Sequence, residues 1–161
     1  MKIMIHPTAI VEGKVSNGTK VWHHSHIRGT IGENCVIGKN VYIDADVVIG
    51  NNCKIQNNVS IYNAKIGNFV FIGPSVVFTN DLYPRASVWN PNKKAPITVL
   101  ENGCSVGANS TLIAGIEIGS HAMVGAGSVV TKDVRPSVLV YGNPAKEKCY
   151  INKMGEKVGQ I

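Results

Sequence analysis

Residues Ile31 to Val59 read IGENCVIGKNVYIDADVVIGNNCKIQNNV, with isoleucine at every sixth position: Ile31, Ile37, Ile43, Ile49 and Ile55, then Ile61 just beyond. Asn or Asp stands three places after each of the first five, and Gly directly follows Ile31, Ile37 and Ile49. A period of six fits neither an amphipathic helix nor an alternating strand. It is the signature of a six-residue repeat that winds into a parallel β-helix, each unit supplying a short strand and a corner. The aliphatic residue points inward, while Gly or Asn tolerates the positive φ of a tight corner.

Working outward, the beat runs back through Ile27, Val21, Val15, Val11 and Ile5, with short steps from Val11 to Val15 and from Ile27 to Ile31. Forward it passes Ile66, Ile72 and Phe78, stops, and resumes at Leu100, Val106, Leu112, Ile118, Val124 and Val130. A second beat of smaller residues lies four places after the first, at Ser25, Cys35, Val41, Val47, Cys53, Val59, Val70, Val76, Ser110, Ala122 and Ser128. Cys104 shares it, and Cys35 and Cys53 are eighteen residues apart, or three repeats. If three repeats make one triangular coil, the two sulfurs stack inside at roughly the 4.8 Å spacing of neighbouring strands. With no CxxC pair, they read as reduced core thiols, and only Cys149 falls outside the repeat.

The fold expected is therefore all-β: a parallel β-helix over residues 1–135 with one loop extruded at about 80–96, and a tail over 136–161 that ends in a short helix. Residues up to Ile27 form an atypical first coil that caps the helix. The loop, TNDLYPRASVWNPNKKAP from Thr79 to Pro96, is long for so regular a pattern, which marks it as functional. A formal charge of +6 and pI near 9.2 favour anionic partners such as phosphate-bearing cofactors or nucleotides. No Lys/Arg run supports nucleic-acid binding, and no apolar run reaches a membrane-spanning length. The start, MKIMIHPTAIVEG, has no signal-peptide core, so a cytoplasmic location is expected.

Repeats interrupted by a protruding loop resemble the left-handed β-helix acyltransferases of the hexapeptide family, which are trimers using acetyl-CoA. The left-handed sense comes from this resemblance alone, since the general rule for crossovers favours the right-handed one. Three segments resemble one subgroup: His6-Pro7-Thr8-Ala9 with Val21-Trp22-His23, Lys54 to Tyr62 (KIQNNVSIY), and Phe71 to Asn80 (FIGPSVVFTN) followed by Pro84-Arg85. They are similar to N-acetyltransferases acting on the 3-amino group of nucleotide-linked amino sugars, such as those that acetylate UDP-2-acetamido-3-amino-2,3-dideoxyglucuronate. The resemblance implies transfer from acetyl-CoA to the amino group of a nucleotide sugar, in surface-polysaccharide or glycan synthesis, by a homotrimer. One departure stands out. Enzymes for the glucuronate substrate have an acidic stretch before the FxGPS segment, whereas Asn63 to Asn68 here is one residue short and lacks acids.

The loop begins Thr79-Asn80-Asp81, and the chain has no His between 27 and 120. O-acetyltransferases of this architecture place a His at the equivalent point, because a hydroxyl needs a base to become a nucleophile. An amide cannot take that proton, but it can orient an amine that attacks a thioester unaided. Asn80 is thus the expected catalytic residue, with Asn making an ordinary turn as the bland alternative. The missing histidines also argue against the zinc site of hexapeptide carbonic anhydrases, and no metal is expected. For the sugar nucleotide the candidates are Gln56 and Asn57, whose polar groups project outward, Arg85 in the loop, and His24 in the corner pair His23-His24. For coenzyme A they are the small corner residues Ala126 and Gly127, with Lys132 and the GNPAK segment, Pro144, Ala145 and Lys146. That segment matches the family's closing motif, where the lysines meet phosphates as point charges. An O-acetyltransferase using His121 of a neighbouring subunit, and a scaffold without catalysis, are the alternatives.

Overall fold

The computed structural model describes residues 2–88 and 95–161. Three parallel sheets form the sides of a triangular prism wound from seven coils. The first sheet runs Met4–Ile5, Lys20–Val21, Val36–Ile37, Lys54–Ile55, Phe71–Ile72, Ser105–Val106 and Met123–Val124. The second runs Ile10–Val11, His26–Ile27, Tyr42–Ile43, Ser60–Ile61, Val77–Phe78, Thr111–Leu112 and Val129–Val130. The third runs Lys14–Val15, Thr30–Ile31, Val48–Ile49, Ala64–Ile66, Thr98–Leu100 and Glu117–Ile118, with Val134 bridged to Ile118.

Each side of a coil is short, so burial must come from stacking. The aliphatic residue that ends each strand points inward and is buried from Val21 to Val130. Burying one such side chain contributes roughly 1.5–3 kcal/mol, which stacking repeats over coil after coil. The first coil is an exception. Ile5 is 43% exposed because no coil lies beneath it, so this coil is the open end of the stack rather than a separate cap.

The corners divide the work that the sequence pattern had lumped together. Asn34, Asn40, Asn52 and Asn58 adopt φ between 54° and 61°, the left-handed region that Asn tolerates. The glycines directly after the isoleucines serve close approach instead: a Cβ at Gly38 would lie 2.7 Å from the Asn57 backbone nitrogen of the next coil. Asn side chains also tie coil to coil. Asn51 Oδ1 accepts from the Glu33 N–H at 2.7 Å, and Asn68 Oδ1 from the Asn51 N–H at 2.7 Å.

Every irregularity of the repeat falls on one edge, between the second and third sheets. The two-residue corners at 12–13, 28–29 and 62–63 lie there, and so does the loop leaving after Phe78 and returning at Thr98. The tail corrects the expected helix. Val138–Gly142 continues the first sheet parallel to Met123–Val124, and Ala145–Ile151 and Lys157–Gln160 add to it antiparallel. Although Ala-Lys-Glu-Lys are helix formers by propensity, Cys149 and Ile151 are buried while Lys148 and Tyr150 are exposed. That two-residue alternation belongs to a strand.

Cys35 and Cys53 stack as the register required, with the Cys53 N–H donating to Cys35 Sγ at 3.4 Å across eighteen residues. Each thiol donates to a backbone carbonyl, Cys35 to Gly50 at 3.2 Å and Cys53 to Gly67 at 3.1 Å. Cys104 continues the column, and burial pushes its thiol up to about 12. Cys149 is buried too, contrary to what its place outside the repeat suggested. All four cysteines should therefore resist a thiol reagent in the native protein and react together on unfolding. Rapid native labelling of Cys35 or Cys53, or stoichiometric zinc lost on Cys35→Ser, would contradict this packing.

Candidate active site

The prism places the candidate residues on its edges, because the sides are occupied by strand ladders. The edge between the first and second sheets carries His24, Gln56, Asn57, Ala126 and Gly127. The edge between the second and third carries Asn80 and Arg85 in the loop, and Lys132 two coils further on. His121 sits on the third edge. Within one chain, Asn80 and His121 are therefore apart.

The loop legs are set firmly at their base. The Thr79 N–H donates to Leu112 O at 2.9 Å, and its hydroxyl oxygen accepts from the Ala114 N–H at 2.9 Å. Asn80 follows at once, with its side chain exposed. Asp81 Oδ1 accepts from the Tyr83 N–H at 2.8 Å, and Arg85 donates to Pro84 O at 2.7 Å within an exposed segment. Trp89 lies outside the described residues.

On the first edge, Asn57 has a structural task the sequence did not reveal: its Oδ1 accepts from the Lys39 N–H at 2.9 Å. Gln56 beside it is half-buried. His24 adopts φ 56°, and its N–H donates to the Thr8 hydroxyl oxygen at 3.1 Å. His6 and His23 pack with ring centroids 3.6 Å apart, and the Trp22 ring runs nearly parallel to His23 at 6.1 Å. Among the described residues no group of three His, Cys, Asp or Glu is placed to hold a metal ion.

The four cofactor candidates at the far end do come together. Lys132, Pro144, Ala145 and Lys146 line one pocket of about 250 Å³. Its two carboxylates are engaged: Asp133 accepts from the Glu117 N–H at 2.8 Å, and Glu147 takes the Arg135 fork at 2.9 and 2.6 Å. Hydrogen bonds and charge from Arg135 hold Glu147 below the usual carboxylate range. Neither Lys132 nor Lys146 has a carboxylate partner among the described residues, so both ammonium groups are available to phosphate. Ala126 and Gly127 lie outside this pocket, on the edge between the first and second sheets, where the Gly142 N–H donates to Ser128 Oγ at 3.3 Å. A Cβ on Gly127 would meet nothing within 4 Å, so this corner is open to a ligand's close approach. Arg135 and Glu147 escaped the sequence reading, since nothing in one dimension showed the tail folding back along the last coil.

His121 adopts φ 59° with its ring over Gly103, where any Cβ would collide with the imidazole. The corner is braced by Glu101, which accepts from the Ser120 hydroxyl at 2.6 Å and its N–H at 2.7 Å. Those bonds hold the Glu101 carboxyl low.

Two comparisons decide the family. Residues 28–63 and 97–132 match the bacterial transferase hexapeptide (six repeats). Over 157 residues the chain is 44% identical to dTDP-3-amino-3,6-dideoxy-α-D-galactopyranose 3-N-acetyltransferase of Aneurinibacillus thermoaerophilus, covering 96% of this chain and 81% of that enzyme. The chain belongs to the bacterial hexapeptide transferases. The fold of this hexapeptide transferase is accordingly the left-handed parallel β-helix. It is also 32% identical to galactoside O-acetyltransferase of Lactococcus lactis, covering 76% of this chain and 63% of that one. Among solved structures, AntD, an N-acyltransferase from Bacillus cereus in complex with dTDP and coenzyme A, superposes with a TM-score of 0.71. It covers 95% of this chain and 85% of its own at 17% identity, a likeness of fold.

The histidine cluster gives this transferase a pH dependence with a definite sign. Partial desolvation and the neighbouring imidazoles of His23 and His24 hold His6 below its ordinary value of 6.5. A lowered value in the folded state means that unfolding takes up protons as the pH falls below about 6.5. The melting temperature should therefore fall between pH 6.5 and 5, above the range where the carboxylates titrate, and His6→Asn should flatten that dependence. An unchanged melting temperature across this window in the unaltered protein would show that His6 does not resist protonation.

Proposed function

We propose that this hexapeptide transferase is an acetyl-CoA-dependent N-acetyltransferase acting on the 3-amino group of a dTDP-linked deoxy amino sugar, for glycan synthesis. The observation that carries the reading is Asn80 on the outgoing leg of the loop, in a chain with no His between 27 and 120. The Aneurinibacillus enzyme, named for a dTDP-3-amino-3,6-dideoxy sugar, supports it. A 6-deoxy sugar has a methyl group where the glucuronate substrate has a carboxylate. This agrees with the departure of Asn63 to Asn68 from the pattern of the UDP-glucuronate enzymes.

Asn80 accepts a hydrogen bond from the sugar amine and aims its lone pair. What acetyl-CoA supplies is an acyl group activated as a thioester. The amine nitrogen forms the new bond to the acyl carbon, the bond to sulfur breaks, and the nitrogen's surplus proton leaves with the thiol or to water. Backbone N–H groups beside the thioester stabilise the developing oxyanion. Lys132 and Lys146 hold phosphate groups of coenzyme A, while the corner at Ala126 and Gly127 admits its pantetheine arm. Arg85 faces the sugar nucleotide from the loop, and His24, Gln56 and Asn57, which lie on another edge, face it from a neighbouring copy.

The site is completed by trimerisation in this reading. Leu82 and Val88 of the loop are 48% and 72% exposed in the single chain, and a neighbouring copy would cover them. Sedimentation should give a trimer; a fully active monomer at micromolar concentration would rule it out.

Loss of one orienting hydrogen bond, worth on the order of 1–3 kcal/mol, should make Asn80→Ala roughly tenfold to a few hundredfold slower with coenzyme A binding unchanged. The pH–rate curve should follow the substrate amine and keep its shape in His121→Asn. The hydroxyl analogue of the sugar should not turn over. If His121→Asn abolishes catalysis and the hydroxyl analogue is acetylated well, the chain is instead an O-acetyltransferase with His121 as its base.

A further inference from the structure

We propose that Asn63 is a positioning residue for the acceptor site, holding the returning leg of the loop so that Asn80 is presented in one place. The inference rests on the reading of Asn80 given above. Asn63 occupies the two-residue corner between Ile61 and Ala64, where the coil below spends four residues between Ile43 and Val48. The returning leg of the loop lies over this corner. Asn63 Nδ2 donates to two successive carbonyls of that leg, Ala95 O at 2.6 Å and Pro96 O at 3.1 Å. The Asn63 carbonyl in turn accepts from the Thr98 N–H at 3.1 Å.

From the coil above, two consecutive N–H groups hold the two legs together. Ala114 donates to the Thr79 hydroxyl oxygen of the outgoing leg at 2.9 Å, and Gly115 donates to the Thr98 hydroxyl oxygen of the returning leg at 3.1 Å. Gly115 is also required for space, since a Cβ there would lie 2.7 Å from Pro96 Cβ. Pro96 is thus gripped between Asn63 below and Gly115 above, and Asn80 follows directly from the leg clamped beside it. Asparagine suits the position for two reasons at once. It tolerates the φ of 38° at Asn63, and its amide offers two N–H donors to two carbonyls. Glycine would keep the backbone and lose both donors. Aspartate would keep the shape and set a carboxylate against two carbonyl oxygens.

Three measurements test this: steady-state kinetics with the dTDP-linked amino sugar, calorimetric titration with coenzyme A, and amide exchange at Thr98 without substrate. Asn63→Gly should lower acceptor kcat/KM roughly tenfold, chiefly through kcat as Asn80→Ala does, while the coenzyme A Kd stays within about twofold, and Asn63→Asp should do at least as much. Exchange at Thr98 should quicken in both. A purely structural role would weaken coenzyme A binding as well, and that result, or an unaltered acceptor kcat, would overturn the inference. If the unaltered chain acetylates no amino sugar, the proposed function fails by that assay. Exchange at Thr98 still tests the clamp, quickened exchange supporting it and unchanged exchange overturning it. Should Asn63→Gly not fold, Thr98→Val removes the acceptor for Gly115 from the same leg with little change of shape and must meet the same outcomes.

Discussion

The stacking of one coil on the next is the constraint on which everything else depends. Most of the strands are two residues long, so none has stability of its own. An inward aliphatic side chain finds its neighbours above and below, and each backbone group finds its partner in the coil above or beneath. The corner asparagines add a second set of links in the same direction, as in the run from Glu33 through Asn51 and Asn68 to Asn102. Where stacking ends, burial ends with it: Ile5 in the first coil is exposed although it occupies the same inward position as the buried Ile37.

A molecule built this way has little freedom on its sides and much at its corners. A residue inserted into a strand would throw every later side chain to the wrong face. A corner can be shortened or extended without disturbing the strands that flank it. This chain concentrates both kinds of change on a single edge, with two-residue corners in three coils and the long loop in a fourth. Regular coils keep the legs of that loop in place while residues 80–88 between them stay exposed.

The second candidate site arises where the stack stops. The final coil has no further coil above it, and the tail strands fold back along its first sheet. The pocket of Lys132 and Lys146 is the gap between that tail and the last corner, and Glu147 on its wall takes the Arg135 fork. Asp133 and Glu147 are each engaged by another partner, which leaves Lys132 and Lys146 without a carboxylate partner among the described residues. Two such ammonium groups suit a phosphate-bearing ligand, as the net charge of the chain had suggested.

The sequence by itself determined the coil, its register, its inward residues and the position of the loop, because a periodic contact leaves a periodic trace. It also marked the cysteine column and the absence of a histidine beside Asn80, since both are matters of which residue stands at a known place in the repeat. Only the tertiary structure decided what depends on residues far apart in the chain. It turned the expected helix after Pro136 into strands, because pairing with Val138–Gly142 outweighs the helical propensity of Ala145 to Lys148. It assigned Asn57 to the Lys39 N–H, buried Cys149, and separated Asn80 from His121 onto different edges. It also joined Asn63 to Ala95 and Pro96 across more than thirty residues. Such contacts occur once in the molecule, so no repetition in the sequence announces them.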